Sequence, residues 1–429
     1  MSTQTTRPLA ARLTVGWHQA ARPASLGEHH ARYGPRPEAG RDLAGAVAAA
    51  GLTGRGGAGF PTGVKMRAVA ARRGPAVVVV NGMESEPASE KDQALLARAP
   101  HLVLDGAVLA AHAVGAGTVH VCLDRARDQQ ITALMRAVGE RRRARVDPVP
   151  VMVHGLPRHY VSSEETSLVR WLNGGEARPV TAPPRPSDRG VGRHPTLVDN
   201  VETLAHVALV ARYGPAWFRS AGSSDAPGTF LVTAAGAVAG PGVYEIEGGT
   251  LVGDVLEMSG AVDDGYVLLG GYGGTWHPMR EAAQLPLTAA GLRAAGASPG
   301  AGLVLALAPS SCGLAETTRI LGYLAREGAQ QCGPCRFGLP AIADDFAQLA
   351  AGRPEDGVLD RLHRRLGVIP GRGACRHPDG AVRLATSALT AFASDVRAHA
   401  AGHPCAAFRR GRTAAGLPIP RPRAESQWR

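Results

Sequence analysis

Lysine is nearly absent from this chain, and aromatic residues are scarce. Lysine and arginine together number 47 in 429 residues, yet Lys65 and Lys91 are the two lysines, and aromatic residues make up 4 %. The net charge of +11 therefore comes from scattered arginines, without the interleaved basic and aromatic runs of nucleic-acid-binding surfaces. The composition argues against a nucleic-acid-binding protein. It leaves the two lysines as candidates for small-anion or backbone contacts, because an ammonium group is a compact charge.

A long uninterrupted apolar run is also lacking. The longest apolar stretch, residues 101–123, contains Asp105, histidines and glycines, which predicts a buried helix and strand instead of a membrane span. The opening MSTQTTRPLAARLTVGWHQ lacks the apolar core of a signal peptide. We therefore expect a cytoplasmic protein that is not itself membrane-spanning. In that compartment, its six cysteines are more typical of metal or cluster ligands than of disulfides.

Three of these cysteines have the spacing of an inorganic site. Cys332 and Cys335 form a C-x-x-C pair in EGAQQCGPCRFG, and Cys375 follows in the same helical-looking region. Zinc sites and iron–sulfur clusters both use such pairs. A thioredoxin-like redox pair would require a βαβ context, and no histidine lies at zinc-finger spacing. The pattern favours a cluster over zinc, and both remain open on the residues alone.

Strands and helices alternate in the first half of the chain. Three segments separated by helical segments have the pattern of strands: PAVVVVNG, TVHVCLD and VPVMVHG. This order predicts a parallel sheet with helices on its faces. Such sheets bind ligands beyond the carboxyl ends of their strands. The acidic segment NGMESEPASEKD directly follows the first strand, so Asn81, Glu84 and Glu86 could bind ribose hydroxyls or a ring amide there. A solvated acidic loop is the alternative.

Two further segments are candidates for ligand contact or for simple local structure. GRGGAGFPTGVK, ending at Lys65, is glycine-rich, so its amide groups could approach anionic oxygens closely, although many such loops are only turns. SSEETSL, residues 162–168, has the composition of a helix start, and capping alone would explain it.

Together these motifs resemble the NADH-binding flavoprotein subunit of respiratory complex I (NADH:quinone oxidoreductase), with its relatives in NAD-linked hydrogenases and formate dehydrogenases. The match covers roughly residues 42–400. It rests on GLTGRGGAGFPTGVK, NGMESEPASEKD, EETSL, PTLVDNVETL, GGYGGTW and CGPCRFG, in that order. Each segment is short, but the ordered set is highly specific.

The resemblance implies an α/β fold with three folded parts. A Rossmann-like FMN- and NADH-binding domain is expected at residues 41–227, a ubiquitin-like β-grasp module of the SLBB type at 228–310, and a C-terminal helical iron–sulfur bundle at 311–402. From composition, residues 1–40 are expected to be loose and 403–429 to form a disordered tail.

The resemblance also implies site residues by position. The FMN and NADH contacts it suggests are Gly54, Arg55, Gly56, Gly57, Ala58, Gly59, Phe60, Lys65, Asn81, Glu84, Glu86, Glu164, Glu165, Asp199, Asn200 and Thr203. Within this set, Phe60 matches the ring that stacks on the nicotinamide nucleotide, and Asn200 and Thr203 match residues on the FMN phosphate side. Cys332, Cys335 and Cys375 match ligands of a 4Fe-4S cluster. No residue is expected to act as a general acid or base.

Several positions depart from the family pattern. Met83 stands at a usual aspartate, Met66 at a tryptophan, Ser163 at a glycine, and Asp199 at the first of two asparagines. Ala329 stands at the first of the four expected cluster cysteines. A cluster with an open iron corner, a three-iron cluster and loss of the cluster all remain alternatives. Cys312 is discounted as a substitute ligand because a helical segment would hold it too far away.

The resemblance implies a function and partners. The expected function is that of an FMN-dependent NADH dehydrogenase subunit, a divergent paralogue in which hydride passes from NADH to FMN and single electrons pass through a cluster to a ferredoxin-like or thioredoxin-like ferredoxin protein. Its expected place is the cytoplasm, including the cytoplasmic face of a membrane complex. The alternative is a non-catalytic or cluster-less structural or electron-accepting paralogue, which Met83 and Ala329 favour.

Overall fold

The computed structural model describes residues 11–17, 22–38, 42–262, 264–409, 417–420 and 427–429. The first half of the chain forms a four-stranded, all-parallel sheet in the order β3-β2-β1-β4. Its strands are β1 (Ala76–Gly82), β2 (Ala116–Asp124), β3 (Val151–Leu156) and β4 (Thr196–Asn200). Val78, Val79 and Val80 are fully buried because helices cover both faces of the central strand. The three predicted strands are confirmed, and β4 is a further strand that the sequence did not predict.

Among the described residues, eight helices accompany this sheet. They are α1 (Leu26–Tyr33), α2 (Leu43–Ala50), α3 (Thr62–Ala70), α4 (Lys91–Arg98), α5 (Pro100–Val114), α6 (Asp128–Ala144), α7 (Glu165–Leu172) and α8 (Val201–Arg219), with short 3-10 helices at Tyr160–Ser163 and Val191–Arg193. Helix α5 is almost entirely buried, as its apolar composition predicts. It approaches α8 so closely that a Cβ on Gly106 would lie 1.8 Å from the Leu204 carbonyl oxygen, so only glycine fits there.

A second, mixed sheet of five strands follows, in the order β6-β5-β9-β7-β8. Its strands are β5 (Thr229–Gly236), β6 (Gly242–Glu247), β7 (Tyr266–Leu269), β8 (Thr275–Pro278) and β9 (Leu303–Leu307), and its helices are α9 (Val252–Met258), α10 (Met279–Ala282) and α11 (Ala289–Ala294). Strands β5 and β9 are parallel, and the other pairs are antiparallel. Phe230, Ile246, Val255 and Val304 belong to the core between one face of this sheet and its helices.

Helices dominate the remainder of the described chain. They are α12 (Gly313–Glu327), α13 (Leu339–Ala350), α14 (Val358–Val368), α15 (His377–Ala391), α16 (Ala393–Ala400) and α17 (Ala406–Arg409), and a π-helical turn spans Pro334–Gly338. Ile320, Phe346 and Leu384 share one hydrophobic core with Leu268 and Leu305 of the second sheet. The helices therefore cover the face of that sheet which its own helices leave free.

The expectation of a loose N-terminal segment is wrong for its described residues. Leu13 is fully buried, and the backbone N–H groups of Arg12, Leu13 and Thr14 donate to the Glu245 carboxylate of β6 at 3.0–3.2 Å. Helix α1 also begins with a capping box, in which Ser25 and Glu28 bond each other's backbone amides. Residues 1–10, 18–21 and 39–41 lie outside the described residues.

The expectation of a disordered tail is likewise wrong where the structure describes the tail. Helix α17 lies within it, and Leu417 and Trp428 are only 2 % and 9 % exposed. Residues 410–416 and 421–426 lie outside the described ranges.

Within those ranges, no single helix has the length and apolarity required to cross a bilayer. Helices α4 and α5 meet the length and composition requirements only as a pair, and they are bent by 98° relative to each other.

Candidate functional site

The predicted FMN and NADH contacts gather at the carboxyl edge of the parallel sheet. Strands β1 and β4 are neighbours, with Asn81 opposite Asn200 and Val80 opposite Asp199. The acidic segment after β1 and the helix after β4 therefore begin side by side. This is the edge at which parallel α/β sheets bind ligands.

The glycine-rich loop lies over the start of α8. The Arg55 amide donates to Thr203 Oγ1 at 2.9 Å, and a Cβ on Gly56 would contact the Asn200 side chain at 3.4 Å. Gly57 and Gly59 have positive φ, and a Cβ on Gly59 would meet no atom within 4 Å. Gly54, which donates to the Phe60 carbonyl, and Ala58 complete the loop. The loop therefore leaves open space beside a helix N-terminus, an arrangement that suits a phosphate group.

The side chains of Phe60 and Lys65 differ in how accessible they are to a ligand. Phe60 is 46 % exposed, although large aromatic side chains are usually buried. Lys65 Nζ donates to the Val198 carbonyl and lies 3.2 Å from Glu165 and 3.9 Å from Asp199. Lys65 is therefore held by groups of the protein, whereas the ring of Phe60 is accessible for stacking.

Asp199 is the least satisfied carboxylate at this edge. It is 6 % exposed, and its Oδ2 has no hydrogen-bond partner among the described residues. Burial raises its pKa to about 6, while Lys65 acts in the opposite direction. Asp199 thus places a buried carboxyl group at the same edge as the glycine-rich loop, where its negative charge would disfavour a phosphate group bound nearby.

Glu84 contacts the scaffold. Its carboxylate accepts the amides of Asp92 and Gln93 at 2.9 and 3.0 Å and the Ser89 hydroxyl at 2.7 Å. These amides belong to the first turn of α4, so Glu84 satisfies donors that a helix start leaves unpaired. Its pKa is raised by burial and by Asp92, against the effect of Lys91.

Glu86 is held by two tyrosines that the sequence reasoning missed. Its Oε2 accepts the Tyr160 hydroxyl at 2.7 Å, and its Oε1 accepts the Tyr272 amide at 3.2 Å. Burial raises the pKa of Glu86 to about 7, although both hydrogen bonds lower it. Tyr160 precedes the SSEETSL segment by two residues, and Tyr272 lies inside GGYGGTW. Their positions in or near these motifs were the only indication in the sequence that the two tyrosines belong to the site. Neither motif indicates that Glu86 is their partner.

Lys91 is paired with buried carboxylates and with the Asn200 side chain. Its Nζ lies 2.7 Å from Asp92 and 3.0 Å from Glu202, and it also donates to Asn200 Oδ1 at 3.3 Å. Burial alone would lower the pKa of Lys91, but Asp92 and Glu202 raise it. Asn200 in turn accepts the Glu202 amide and caps α8. These groups hold together the segments that follow β1 and β4.

The SSEETSL segment is also largely structural. Glu164 is the N-cap of α7, and its carboxylate accepts the amides of Thr166 and Ser167 at 2.9 and 3.2 Å. Burial raises the pKa of Glu164. Asn81 donates to the Ser163 carbonyl at 2.7 Å, which joins this segment to β1. Met83 is 1 % exposed within an apolar cluster, so the departure from aspartate lies in the protein interior.

The three predicted cluster cysteines lie beyond the carboxyl-terminal end of α12. Cys335 lies close enough to Cys332 and Cys375 for both to raise its pKa, and Cys332 likewise raises the pKa of Cys375. Burial raises the pKa of Cys335 to about 12 and that of Cys375 to about 11. Ala329 is 4 % exposed and belongs to a small apolar cluster with Val161, Trp428 and the flanking Cys375. The residues fit three ligands of an iron–sulfur cluster, and at the fourth position a methyl group packs against other side chains.

Comparison with known proteins finds two family matches that span these two regions of the chain. Residues 47–209 match the family described as the Nuo51 FMN-binding domain, and residues 315–399 match the NADH-ubiquinone oxidoreductase-F iron-sulfur binding region. The two matches contain the glycine-rich loop through Thr203 and all three cluster cysteines, respectively. Their names agree with the cofactors that the motifs imply.

Full-length relatives and a solved structure extend the likeness to most of the chain. The NADH-quinone oxidoreductase F subunit of Streptomyces coelicolor is 33 % identical over 380 residues, covering 85 % of this chain and 84 % of that protein. The corresponding protein of Escherichia coli is 31 % identical, covering 81 % and 82 %. A NAD+-reducing [NiFe]-hydrogenase in the air-oxidised state superposes with a TM-score of 0.80 at 30 % identity, covering 91 % of this chain and 67 % of that chain. The chain belongs to the family of NADH-quinone oxidoreductase F subunits, the flavoprotein family that its motifs predicted.

Proposed function

We propose that this chain is an NADH-oxidising, FMN-dependent flavoprotein subunit that passes electrons to a partner redox protein. One observation carries the proposal: at the carboxyl edge of the parallel sheet, the glycine-rich loop, which ends at the exposed Phe60, lies against the start of α8. When bound, FMN and an iron–sulfur cluster supply the chemistry, which is hydride acceptance from NADH followed by single-electron transfer. The residues of the protein bind, orient and shield these groups.

The proposed role of each residue follows from whether its side chain or amide is already bound to other groups of the protein. The amides of residues 54–59 and the start of α8 bind the phosphate side of FMN. Phe60 stacks on the nicotinamide nucleotide, since its ring is exposed. Glu86, oriented by Tyr160 and Tyr272, lines the flavin side. Glu84, Glu164 and Lys91 hold the surrounding segments in place, and direct ligand contact is not proposed for them.

The domain boundaries expected from the sequence become part of the proposal. Residues 41–227 are the Rossmann-like domain, in which all four strands are parallel. Residues 228–310 are the ubiquitin-like β-grasp module of the SLBB type. Numbered from β5, the strand order is 2-1-5-3-4 with the first and last strands parallel, which is the order of ubiquitin. Residues 311–402 are the iron–sulfur bundle.

For the cluster, we propose coordination by Cys332, Cys335 and Cys375 without a fourth protein thiol. Ala329 supplies no ligand atom, and its methyl group faces Trp428. Iron and sulfide analysis together with EPR of the reduced protein distinguishes the outcomes. Four irons indicate a cluster with one iron lacking a protein thiol, three irons indicate a three-iron cluster, and no iron refutes the cluster assignment.

Reconstitution with FMN tests the function itself. We expect bound flavin in the visible spectrum, together with NADH-dependent ferricyanide reduction. Phe60→Ala should raise KM for NADH. Tyr213→Ala is the matched control, because this tyrosine is similarly exposed but lies on α8 away from the loop. Bound flavin without NADH oxidation would support the non-catalytic paralogue, which Met83 and Ala329 favour. Absence of bound flavin would refute the FMN-dependent function and leave the structural paralogue.

The partner and location remain proposals at the same level. The named relatives are subunits of NADH-quinone oxidoreductases, and the structural neighbour is a NAD+-reducing hydrogenase. We propose a ferredoxin-like or thioredoxin-like ferredoxin protein as the electron acceptor, and a place in the cytoplasm or at the cytoplasmic face of a membrane complex. Co-purification of the tagged chain from membrane and soluble fractions, with identification of the bound redox protein, tests both.

A further inference from the structure

A second group of metal-ligating side chains lies outside the sites described above. The ligand atoms of Cys312, His399 and Cys405 all lie within 4.8 Å of one another. Cys312 and His399 are buried, at 3 % and 0 % exposure, whereas Cys405 is partly exposed. The group therefore has a closed inner side and an approach from solvent.

This group is separate from the proposed iron–sulfur site. Cys312 immediately precedes α12, whereas Cys332 and Cys335 follow its other end, and a 15-residue helix is about 22 Å long. His399 contacts the Ala350 carbonyl at the end of α13, whereas Cys335 precedes the start of that helix. The two sets of thiols thus lie at opposite ends of α12 and α13. Cys312 and Cys405 cannot replace the ligand missing at Ala329.

His399 is oriented as metal-binding histidines commonly are. Its Nδ1 lies 2.9 Å from the Ala350 carbonyl oxygen, which only accepts hydrogen bonds, so the proton is on Nδ1. Nε2 consequently carries the lone pair, which accepts the Cys405 amide at 2.8 Å. A carbonyl bonded to one ring nitrogen fixes the tautomer in which the other can bind a metal. A cation at Nε2 would replace the Cys405 amide as its partner.

The two thiols complete a soft ligand set. Cys312 is the N-cap of α12, and its sulfur lies within 4.8 Å of the Cys405 sulfur. Burial raises the pKa of Cys312 to about 12, while the backbone amides of Leu314 and Ala315 act in the opposite direction by donating to its sulfur. Two thiolates and one imidazole suit zinc and are poor ligands for magnesium or calcium.

We propose that Cys312, His399 and Cys405 bind one zinc ion, with water as the fourth ligand. The thiol protons leave as the cation binds, so no oxidant or reductant is required. The ion joins the start of α12 to the end of α16 and to the segment that enters α17. It thereby fastens the C-terminal part of the chain to the helices that hold the cluster cysteines.

Metal content of the reduced, full-length protein carrying its reconstituted flavin and cluster tests this proposal. We expect one bound zinc per chain that is lost in Cys312→Ser and in Cys405→Ser while the iron content is unchanged. Cys332→Ser should show the reverse, with iron lost and zinc retained. Cys122→Ser is the matched control, because Cys122 is a buried cysteine in β2.

Cobalt provides a direct spectroscopic readout of the same ligands. The reduced full-length protein whose three cluster cysteines are replaced by serine should show thiolate-to-cobalt absorption with tetrahedral visible bands. In that background, His399→Gln should weaken and shift these bands. Failure of the reduced wild-type protein to bind zinc or cobalt overturns the proposal, as does cobalt absorption that persists unchanged in Cys405→Ser. A disulfide between Cys312 and Cys405 that withstands reduction also overturns it.

Discussion

At the residue scale, Asp199 is a buried carboxyl group whose second oxygen lacks a partner among the described residues. The neighbouring Asn200, by contrast, uses its side-chain oxygen to accept hydrogen bonds from Lys91 and from the Glu202 amide in the first turn of α8. An asparagine at position 199 would fill the same volume without charge. The cost of the substitution should therefore appear in anion binding more than in packing.

We expect Asp199→Asn to bind FMN about tenfold more tightly at pH 8, because removing a nearby like charge contributes about 1 kcal/mol or more. The pKa of Asp199 is raised to about 6, so at pH 5 the wild-type carboxyl is mostly neutral and the difference should shrink. Quenching of FMN fluorescence at both pH values measures it. Asp264→Asn, at an exposed position, is the control. Equal affinities of variant and wild type at pH 8 would place the phosphate away from Asp199.

Glu86 should make stability fall as pH rises. Its folded pKa is raised to about 7 by burial, whereas in the unfolded chain a glutamate ionises near about 4.3. Between these values the unfolded chain binds fewer protons than the folded chain, so the free energy of unfolding decreases with increasing pH. Glu86→Gln removes this dependence and keeps an acceptor for the Tyr160 hydroxyl.

We therefore expect Glu86→Gln to gain stability relative to wild type as the pH rises. From pH 5 to pH 8, its free energy of unfolding should increase relative to that of wild type by roughly 2–3 kcal/mol, and its relative melting temperature should rise accordingly. Thermal unfolding of the flavin-free protein measures the difference. Glu90→Gln, which alters an exposed neighbour, should show no such change. A pH-independent difference for Glu86→Gln would mean that Glu86 is ionised throughout this range.

At the scale of elements, two carboxylates that were predicted to contact a ligand instead accept hydrogen bonds from the first turns of helices. Glu84 binds the first-turn amides of α4, and Glu164 those of α7. Both helices begin at the carboxyl edge of the sheet, so an acidic residue there can satisfy either a helix or a ligand. The sequence of SSEETSL permitted capping by Ser162 or Ser163, whereas Glu164 is the N-cap in the structure.

We expect Glu164→Ala to lower the free energy of unfolding by about 1 kcal/mol, the usual effect of losing an N-cap. Hydrogen exchange should accelerate at the amides of Thr166 and Ser167, which lose their acceptor. Glu164→Asp, which retains a capping carboxylate, should recover most of the protection. Glu176→Ala, at a partly exposed site outside the helix, is the control. Unchanged exchange at α7 would contradict the capping role.

The sequence predicted the elements whose pattern is local and missed those defined by distant partners. Strands β1, β2 and β3 are apolar runs between clear boundaries, so they were recognised. Strand β4 is five residues long, and its identity as a strand comes from pairing with β1. The tyrosines at Glu86 were missed for a similar reason, because Tyr272 comes from the second sheet region and meets Glu86 only in the folded chain.

At the scale of the whole molecule, segments with the composition of loose ends bind to distant parts of the chain. Arg12, Leu13 and Thr14 are bound by Glu245, and Arg125 donates to the Arg429 carbonyl. Segments rich in arginine and proline are predicted to be disordered because they contain few apolar residues. A few anchors in each segment suffice to place it, and composition averaged over a window does not reveal them.

Trp428 is the anchor of the C-terminus. Its ring stacks on His159 with centroids 3.7 Å apart, the Arg178 guanidinium lies 4.4 Å from its centroid, and its carbonyl accepts the Ala177 amide at 2.7 Å. The same ring contributes to the apolar cluster that contains Ala329 and is flanked by Cys375. The C-terminus therefore shields the side of the proposed iron–sulfur site on which the fourth cysteine is missing.

We expect Trp428→Ala to destabilise the protein by about 2 kcal/mol and to make Cys375 react several-fold faster with an alkylating reagent, because a large buried ring is removed from the cluster against which Cys375 packs. Mass spectrometry of the iron-free protein follows the modification of each cysteine separately. Cys122, buried in β2, should remain unreactive in both proteins. Tyr213→Ala removes an exposed aromatic ring elsewhere and should leave Cys375 unchanged. If Cys375 reacts equally fast in wild type and Trp428→Ala, the C-terminus does not shield this site in solution.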